Sequence, residues 1–211
     1  RLDYVVEDQA GRHYLPDSVA DRAVVFHVGA AAVGVEFRIG GSVGGGGGRV
    51  GGRPRSGHII NISSIVGLLP FPGWGLYAAG KFALEGLTES LAGEVAEHGI
   101  KVNLIEPGYM RTDFLRPVSL GLSEANGDAY PAIREMVQQH LAMPGTQLGD
   151  PAKAAEAIIA VAMTGDAPLH QLLGSDSLEL ADGRVQSLQA DISAARALAV
   201  TTDITEVAAA G

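Results

Sequence analysis

Beyond Ser56 the chain alternates short β-branched runs with longer stretches of helical period. Gly57 to Ser63 (GHIINIS) is apolar and β-branched, which predicts a buried strand. From about Leu76 to Glu97, Leu84, Leu87, Leu91 and Val95 recur at spacings of three and four. That spacing predicts a helix whose leucine stripe faces the core or a subunit contact, with Gly99 as its stop. Ile100 to Ile105 (IKVNLI) predicts a second strand, ended by Pro107-Gly108. Residues 114–149 mix short helix signals with Pro and Gly and read as a lid. Asp150-Pro151 places an acidic cap before a proline and predicts a helix to about Met163. Leu169 to Leu173 reads as a last strand, and Leu178 to about Val200 as a final helix with Leu, Val and Ile on one face. Strands separated by helices of this length imply parallel β-α units, an α/β fold.

The first 56 residues behave differently. Leu2 to Val6 (LDYVV) suits a strand, but beyond Gly11 no period is sustained outside a weak one at Val33 to Ile39. Gly44 to Gly48 are consecutive glycines, each costing roughly 0.5–1 kcal/mol against alanine in a helix or strand interior. Gly40, Gly44 and Gly46 satisfy a bare G-x-x-x-G-x-G spacing, yet so glycine-rich a stretch meets it trivially and no helical pattern follows. A phosphate-binding turn is therefore not assigned there.

Composition narrows the function classes. At 211 residues and 46% hydrophobic, the chain can bury a core of its own. No apolar run reaches the length of a membrane span. The net charge of −9 disfavours nucleic-acid binding, which needs clustered cations. With no cysteine there is no disulfide, thiolate zinc site or cysteine nucleophile, which suits a cytoplasmic protein. Six histidines are scattered with no pair at metal-ligand spacing, so no metal site is expected.

Candidate chemistry centres on Tyr77 and Lys81, four apart on one face near the start of a helix. A free tyrosine has a pKa of about 10 and is a poor base at neutral pH. An ammonium about 4 Å away contributes up to ~4 kcal/mol at intermediate dielectric, which lowers that pKa by about three units at most. A tyrosine so poised exchanges a proton with a hydroxyl or carbonyl. Taken alone the pair is a common coincidence on helices. Ser64, at the end of the preceding strand, can hold a substrate oxygen beside the phenol, though a serine there also simply caps the strand. Pro107-Gly108 lies where an open parallel sheet places its ligand, the glycine permitting close approach of a flat ring. Thr112 can bond an amide. Trp74 and Phe71 suit either substrate contact or packing, and Glu179 and Asp182 read as a solvated helix face.

The stretch from Gly57 to Phe114 resembles the short-chain dehydrogenase/reductase family: the serine, the Tyr-x-x-x-Lys pair and the Pro-Gly-x-x-x-Thr element occur in order at family spacing. The segments GDPAKAAEAIIAVA and LHQLLGSDSLELADGRV are similar to that family as well. The resemblance implies a Rossmann-like doubly wound parallel sheet, NAD or NADP as cofactor, and hydride transfer between nicotinamide and a small-molecule alcohol or ketone. It implies Tyr77 as general acid/base, Ser64 orienting the substrate oxygen, and Lys81 lowering the tyrosine pKa while bonding the nicotinamide ribose. Pro107, Gly108, Met110 and Thr112 would line the nicotinamide. Gly80 departs mildly from the small Ser or Ala usual before the lysine.

The resemblance does not extend to the start. No Thr-Gly-x-x-x-Gly-x-Gly turn precedes Tyr77, so residues 1–211 read as one N-terminally truncated domain lacking its first β-α-β units. Within it, 1–56 is an atypical glycine-rich segment and 57–211 the catalytic portion. The opening RLDYVVEDQAG resembles the family's fourth strand, but only Ala10 and Gly11 remain of its Asn-Asn-Ala-Gly ending. The family's catalytic asparagine has no counterpart before Asn61, and the helix forming half of the usual dimer interface is not supplied. Residues from about Val5 to Pro54 therefore read as an out-of-frame or corrupted segment, or else a divergent insertion. Two functions follow: an oxidoreductase, homo-oligomeric in its full-length form, or a non-catalytic remnant without dinucleotide binding. In the remnant, a strand at the sheet's broken edge would be left unpaired.

Overall fold

A computed structural model describes residues 57–120 and 129–204, together with the backbone of three short strands nearer the start. Those are β1 (Val6–Glu7), β2 (His13–Tyr14) and β3 (Ala23–His27). They are followed by β4 (Gly57–Ile62), α1 (Gly75–Val95), β5 (Ile100–Pro107), α2 (Pro131–Ala142), α3 (Pro151–Thr164), β6 (His170–Leu173) and α4 (Ser175–Ala199). The run Val33 to Ile39 and the glycines 44–48 lie outside the described residues.

Strands β3 to β6 form one sheet in the order β3-β4-β5-β6, every neighbouring pair parallel. Two sequence expectations change here. A strand stands at Ala23–His27 (AVVFH), where the sequence shows no sustained period. It is this strand, not the opening run, that pairs with β4, Ala23 facing His58 and His27 facing Ile62. Of the opening run, Val6–Glu7 pairs antiparallel with His13–Tyr14 in a separate two-stranded ladder. The edge of β4 is accordingly paired.

Helices cover both faces, as alternating side chains on parallel strands require. On one face Ile60 and Ile105, both fully buried, meet Val161 of α3, with Ile158, Ala162 and Leu173 around them. On the other, Ala78 of α1 and Ala181 of α4 pack with Ile65 and Val66, and Tyr77 and Leu172 lie against them. Burying each such aliphatic side chain contributes about 1.5–3 kcal/mol. Ile105→Ala should therefore cost about 2–5 kcal/mol, as transfer energy plus the cavity left. Urea melts of the variant check this; an unchanged midpoint would contradict the packing.

Helix starts follow the sequence signals. Asp150 accepts the Ala152 N–H at 2.9 Å ahead of Pro151, and Gly165 ends α3 in the left-handed region at φ 56°. The final helix begins at Ser175, after Gly174 at φ 105°. Its apolar positions Leu178, Val185, Leu188 and Ile192 are exposed. Within the expected lid, the structure shows α2.

In α1 the leucine stripe is not the inward face. Leu84 is buried, but Leu87 is exposed and Leu91 and Val95 are only partly covered. The stripe that faces the sheet is Ala78, Lys81, Leu84, Glu85 and Thr88. Polar residues are tolerated inside where they are partnered. The Thr88 hydroxyl donates to the Leu84 carbonyl at 2.6 Å and accepts from Asn61 Nδ2 at 2.8 Å. Nearby, Asn103 donates to the carbonyls of Ala167 and Pro168 and bonds the His58 ring, tying β5, β4 and the entry to β6.

Candidate active site

The carboxyl ends of β4, β5 and β6 finish side by side, and the turns leaving them open a cleft of about 290 Å³. Where strand ends of a parallel sheet diverge, backbone groups lose their ladder partners and loops must leave the sheet, so a crevice forms there. The wall from β4 is Ile62, Ser63, Ser64 and Ile65. Helix α1 adds Tyr77 and Lys81, with Trp74 just before it. The turn after β5 adds Pro107, Gly108, Tyr109, Met110, Thr112, Phe114 and Leu115, and α2 adds His140. Ser64, Tyr77, Lys81, Pro107, Gly108, Met110 and Thr112 thus line one cavity, although 48 positions separate the first from the last.

Ser64, Lys81 and Thr112 are each held by a specific contact. Ser64 is extended, caps the turn Ile65–Gly67 by accepting the Val66 N–H at 3.2 Å, and sits beside the Tyr77 phenol. Lys81 Nζ donates to the Ile62 carbonyl at 3.0 Å and lies 5.7 Å from the centre of the Tyr77 ring. Thr112 accepts the Phe114 N–H at 3.3 Å, leaving its own hydroxyl proton to donate. Met110 is bridged to Gly149, and the Arg111 side chain holds the Gln147 carbonyl at 2.8 and 3.0 Å, which fastens the loop before α3 to the rim.

Gly108 has a structural reason beyond the one read from the sequence. A Cβ there would stand 2.4 Å from Asp176 Oδ1, so the absent side chain makes room for the start of α4. Asp176 in turn accepts the Tyr109 N–H at 2.7 Å, a charge-assisted bond that fixes the turn after β5.

Residues 52–122 match the family described as short chain dehydrogenase. A solved short-chain dehydrogenase from Streptomyces avermitilis is similar with a TM-score of 0.62 and 38% identity, over 71% of this chain and 54% of that one. An oxidoreductase of Botryotinia fuckeliana is 31% identical over 136 residues, 64% of this chain and 49% of its own length. A 3-oxoacyl-(acyl-carrier-protein) reductase of Rickettsia prowazekii is 52% identical over 59 residues, 28% of this chain and 24% of its own. Over residues 52–122 the chain is similar to short-chain dehydrogenases. It spans about half the length, or less, of the curated relatives it matches.

The electrostatics of Tyr77 differ from the sequence expectation of a depressed pKa. Burial pushes the phenol above its ordinary value, and the Ser64 hydroxyl only partly opposes this. The Lys81 ammonium donates to the Ile62 carbonyl and lies 5.7 Å from the ring centre, and it does not offset that burial. Burial brings Lys81 itself down to about 8, with nearby Glu85 pulling the other way.

One wall of the cleft is aromatic. Trp74 stacks edge-on to Tyr77 at 5.7 Å and lies 4.9 Å from the His140 ring, while Phe114 stands 5.7 Å from Tyr77. His140 is almost fully buried; its Nδ1 meets the Met136 carbonyl at 2.8 Å and its Nε2 the Tyr109 hydroxyl at 3.0 Å. A carbonyl only accepts, so Nδ1 carries the proton and Nε2 accepts from Tyr109. His140 was one of six scattered histidines in the sequence, and no local spacing ties it to a tyrosine 31 positions earlier. Phe71 meets His140 edge-on from outside the cleft, which favours packing for Phe71 and cavity lining for Trp74. No helix among the described residues is long and apolar enough to cross a membrane.

Proposed function

We propose that this chain transfers hydride between a bound nicotinamide, as NAD or NADP, and a small alcohol or ketone, with Tyr77 as general acid/base. The observation that carries the reading is the convergence of Ser64, Tyr77 and Lys81 in one cleft at the strand ends. In the reducing direction Tyr77 gives its proton to the substrate carbonyl oxygen; in the oxidising direction it removes the hydroxyl proton. Ser64 holds the same oxygen beside the phenol and stabilises its charge. A phenol that stays protonated well above neutral pH is suited to act as the acid of carbonyl reduction.

The residues present fit the nicotinamide half of the cofactor. One of the three Lys81 N–H donors is taken by Ile62, so two are free for ribose hydroxyls, and the Thr112 hydroxyl can meet a carboxamide. Pro107, Gly108 and Met110 supply an apolar floor for a flat ring. When bound, the nicotinamide would supply the hydride acceptor or donor. The aromatic wall of Trp74 and Phe114 favours substrates with an apolar substituent next to the reacting carbon.

Titration of the protein with NADH and with NADPH, followed by nicotinamide fluorescence, tests the reading. Saturable enhancement of either is expected. No saturable change up to millimolar cofactor would overturn the proposal for this chain and favour a remnant without dinucleotide affinity.

A further inference from the structure

Behind the cleft, α1 carries a second group of polar side chains that the oxidoreductase reading does not use. Glu85 and Glu89, one helical turn apart, face His170 on β6, and one ligand atom from each lies within 4.8 Å of the others. Glu85 Oε2 is 3.7 Å from His170 Nδ1, and Glu89 Oε1 is 3.8 Å from Nε2. Beneath them Glu106 of β5, fully buried, takes His170 Nδ1 at 2.6 Å.

Two buried carboxylates point into this group without hydrogen-bond partners. Glu85 is only 4% exposed; Ser63 and Glu106 are its polar neighbours, but neither of its oxygens makes a well-formed hydrogen bond. Glu106 Oε2 is likewise buried and unpartnered. Leaving charged acceptors unpaired in an interior is costly, so such a cluster needs a positive partner. Lys81, four residues earlier on the helix, offsets Glu85 in part while its ammonium donates to the Ile62 carbonyl. Three carboxylates around one imidazole leave the deficit unmet.

The geometry points to a divalent transition-metal site formed by Glu85, Glu89 and His170, with Glu106 as the residue that orients the histidine. A carboxylate at Nδ1 holds the proton there and frees the Nε2 lone pair on the side of Glu89, so Glu85, which rests beside Nδ1, must rotate toward Nε2 to join the same ion. A carboxylate behind a histidine in this way is the arrangement that aligns metal-bound imidazoles. Tetrahedral ligation at about 2.0–2.2 Å puts ligand atoms roughly 3.3 Å apart. Glu89, about half exposed, can swing the remaining distance and leaves an entry path for the ion. One nitrogen and two carboxylate donors suit zinc, cobalt or manganese better than magnesium, which prefers water and all-oxygen sites. The sequence conceals the site because it holds no pair of histidines at ligand spacing. Its signature is instead two glutamates at i and i+4 on one helix and a histidine 81 positions later.

Calorimetric titration of the full chain with zinc, and the absorption spectrum of its cobalt(II) form, test this. One saturable site is expected, with the visible bands of tetrahedral cobalt. Glu89→Gln, half exposed and therefore safe for folding, should weaken binding about tenfold or more, and Glu106→Gln about 10–100-fold. His98→Gln, at an exposed Glu97–His98 pair, should change nothing. Absence of saturable zinc binding would overturn the site and leave the carboxylates neutralised by protons. Binding unchanged in Glu89→Gln, or abolished in His98→Gln, would overturn it equally. None of these readouts depends on dehydrogenase activity.

Discussion

Tyr77→Phe is expected to lower kcat for carbonyl reduction by about 10²–10⁴-fold, the usual contribution of a positioned acid/base. That corresponds to roughly 3–5 kcal/mol of transition-state stabilisation. The ring itself should stay in place, because its contacts with Trp74 and Phe114 are made by the ring and not by the hydroxyl. Stability should fall by no more than about 0.5–1.5 kcal/mol for the lost bond with Ser64. Cofactor affinity should be nearly unchanged, since Lys81 and Thr112 retain their donors. Single-turnover rates with NADPH or NADH and a panel of ketones, alongside a thermal melt, measure all three. A drop of less than tenfold with an intact fold would remove Tyr77 from proton transfer.

The fold was legible from Gly57 onward because its elements announce themselves locally. Strands β4 and β5 are continuous β-branched runs, as strands buried on both faces must be. Helix α3 carries its start signal in Asp150-Pro151 and its stop in Gly165. For α1, of the two readings of the leucine stripe, core or subunit contact, the structure overturns only the first, and that beyond Leu84. Leucine spacing selected Leu87, Leu91 and Val95, yet the sheet receives Lys81, Glu85 and Thr88. Hydrophobic periodicity assumes that polar residues face water. Here Asn61 partners Thr88 and the Ile62 carbonyl partners Lys81, so polar side chains turn inward. Strand β3 failed for a different reason: AVVFH lies in a segment without the alternating helix signals that flank strands β4 to β6.

Much of the site was also readable, since Ser64, Tyr77, Lys81 and the Pro107–Thr112 turn all fall within one β-α-β stretch. Their spacing along the chain is fixed by the lengths of α1 and β5, so a sequence pattern can record it. His140 and Tyr109 meet only because α2 folds back over the turn after β5. Asp176 reaches Gly108 only because α4 starts beside the end of β5. Contacts of that kind are set by tertiary packing and leave no local trace. The direction of the Tyr77 pKa shift belongs with them. The sequence placed an ammonium on the same helix face, but only the structure shows which acceptor that ammonium chooses.

Lys81→Met should abolish most of the activity while leaving stability at neutral pH almost unchanged, and it should remove one specific pH dependence. Burial lowers Lys81 from 10.5 to about 8. Keeping it charged at pH 7 therefore costs up to about 3 kcal/mol, at 1.36 kcal/mol per unit. Replacing it with an apolar chain of similar length relieves that cost. The same replacement leaves the Ile62 carbonyl without its partner, a loss of about 1–3 kcal/mol, so the two terms nearly cancel. Between about pH 8 and 10.5 the unfolded lysine holds a proton that the folded one has released. The unfolded state then binds more protons, so the native chain gains stability as pH rises, with a slope approaching 1.36 kcal/mol per unit. Below pH 8 both states are protonated and this contribution is flat. Tyr77, raised by burial, works in the opposite sense only above about pH 10, where the unfolded phenol ionises first. Urea melts from pH 7 to 10 should show the rise in the native chain and its absence in Lys81→Met. Parallel curves for the two proteins would mean that the ammonium is as well solvated folded as unfolded, and the buried Lys81 at the centre of the site would have to be abandoned.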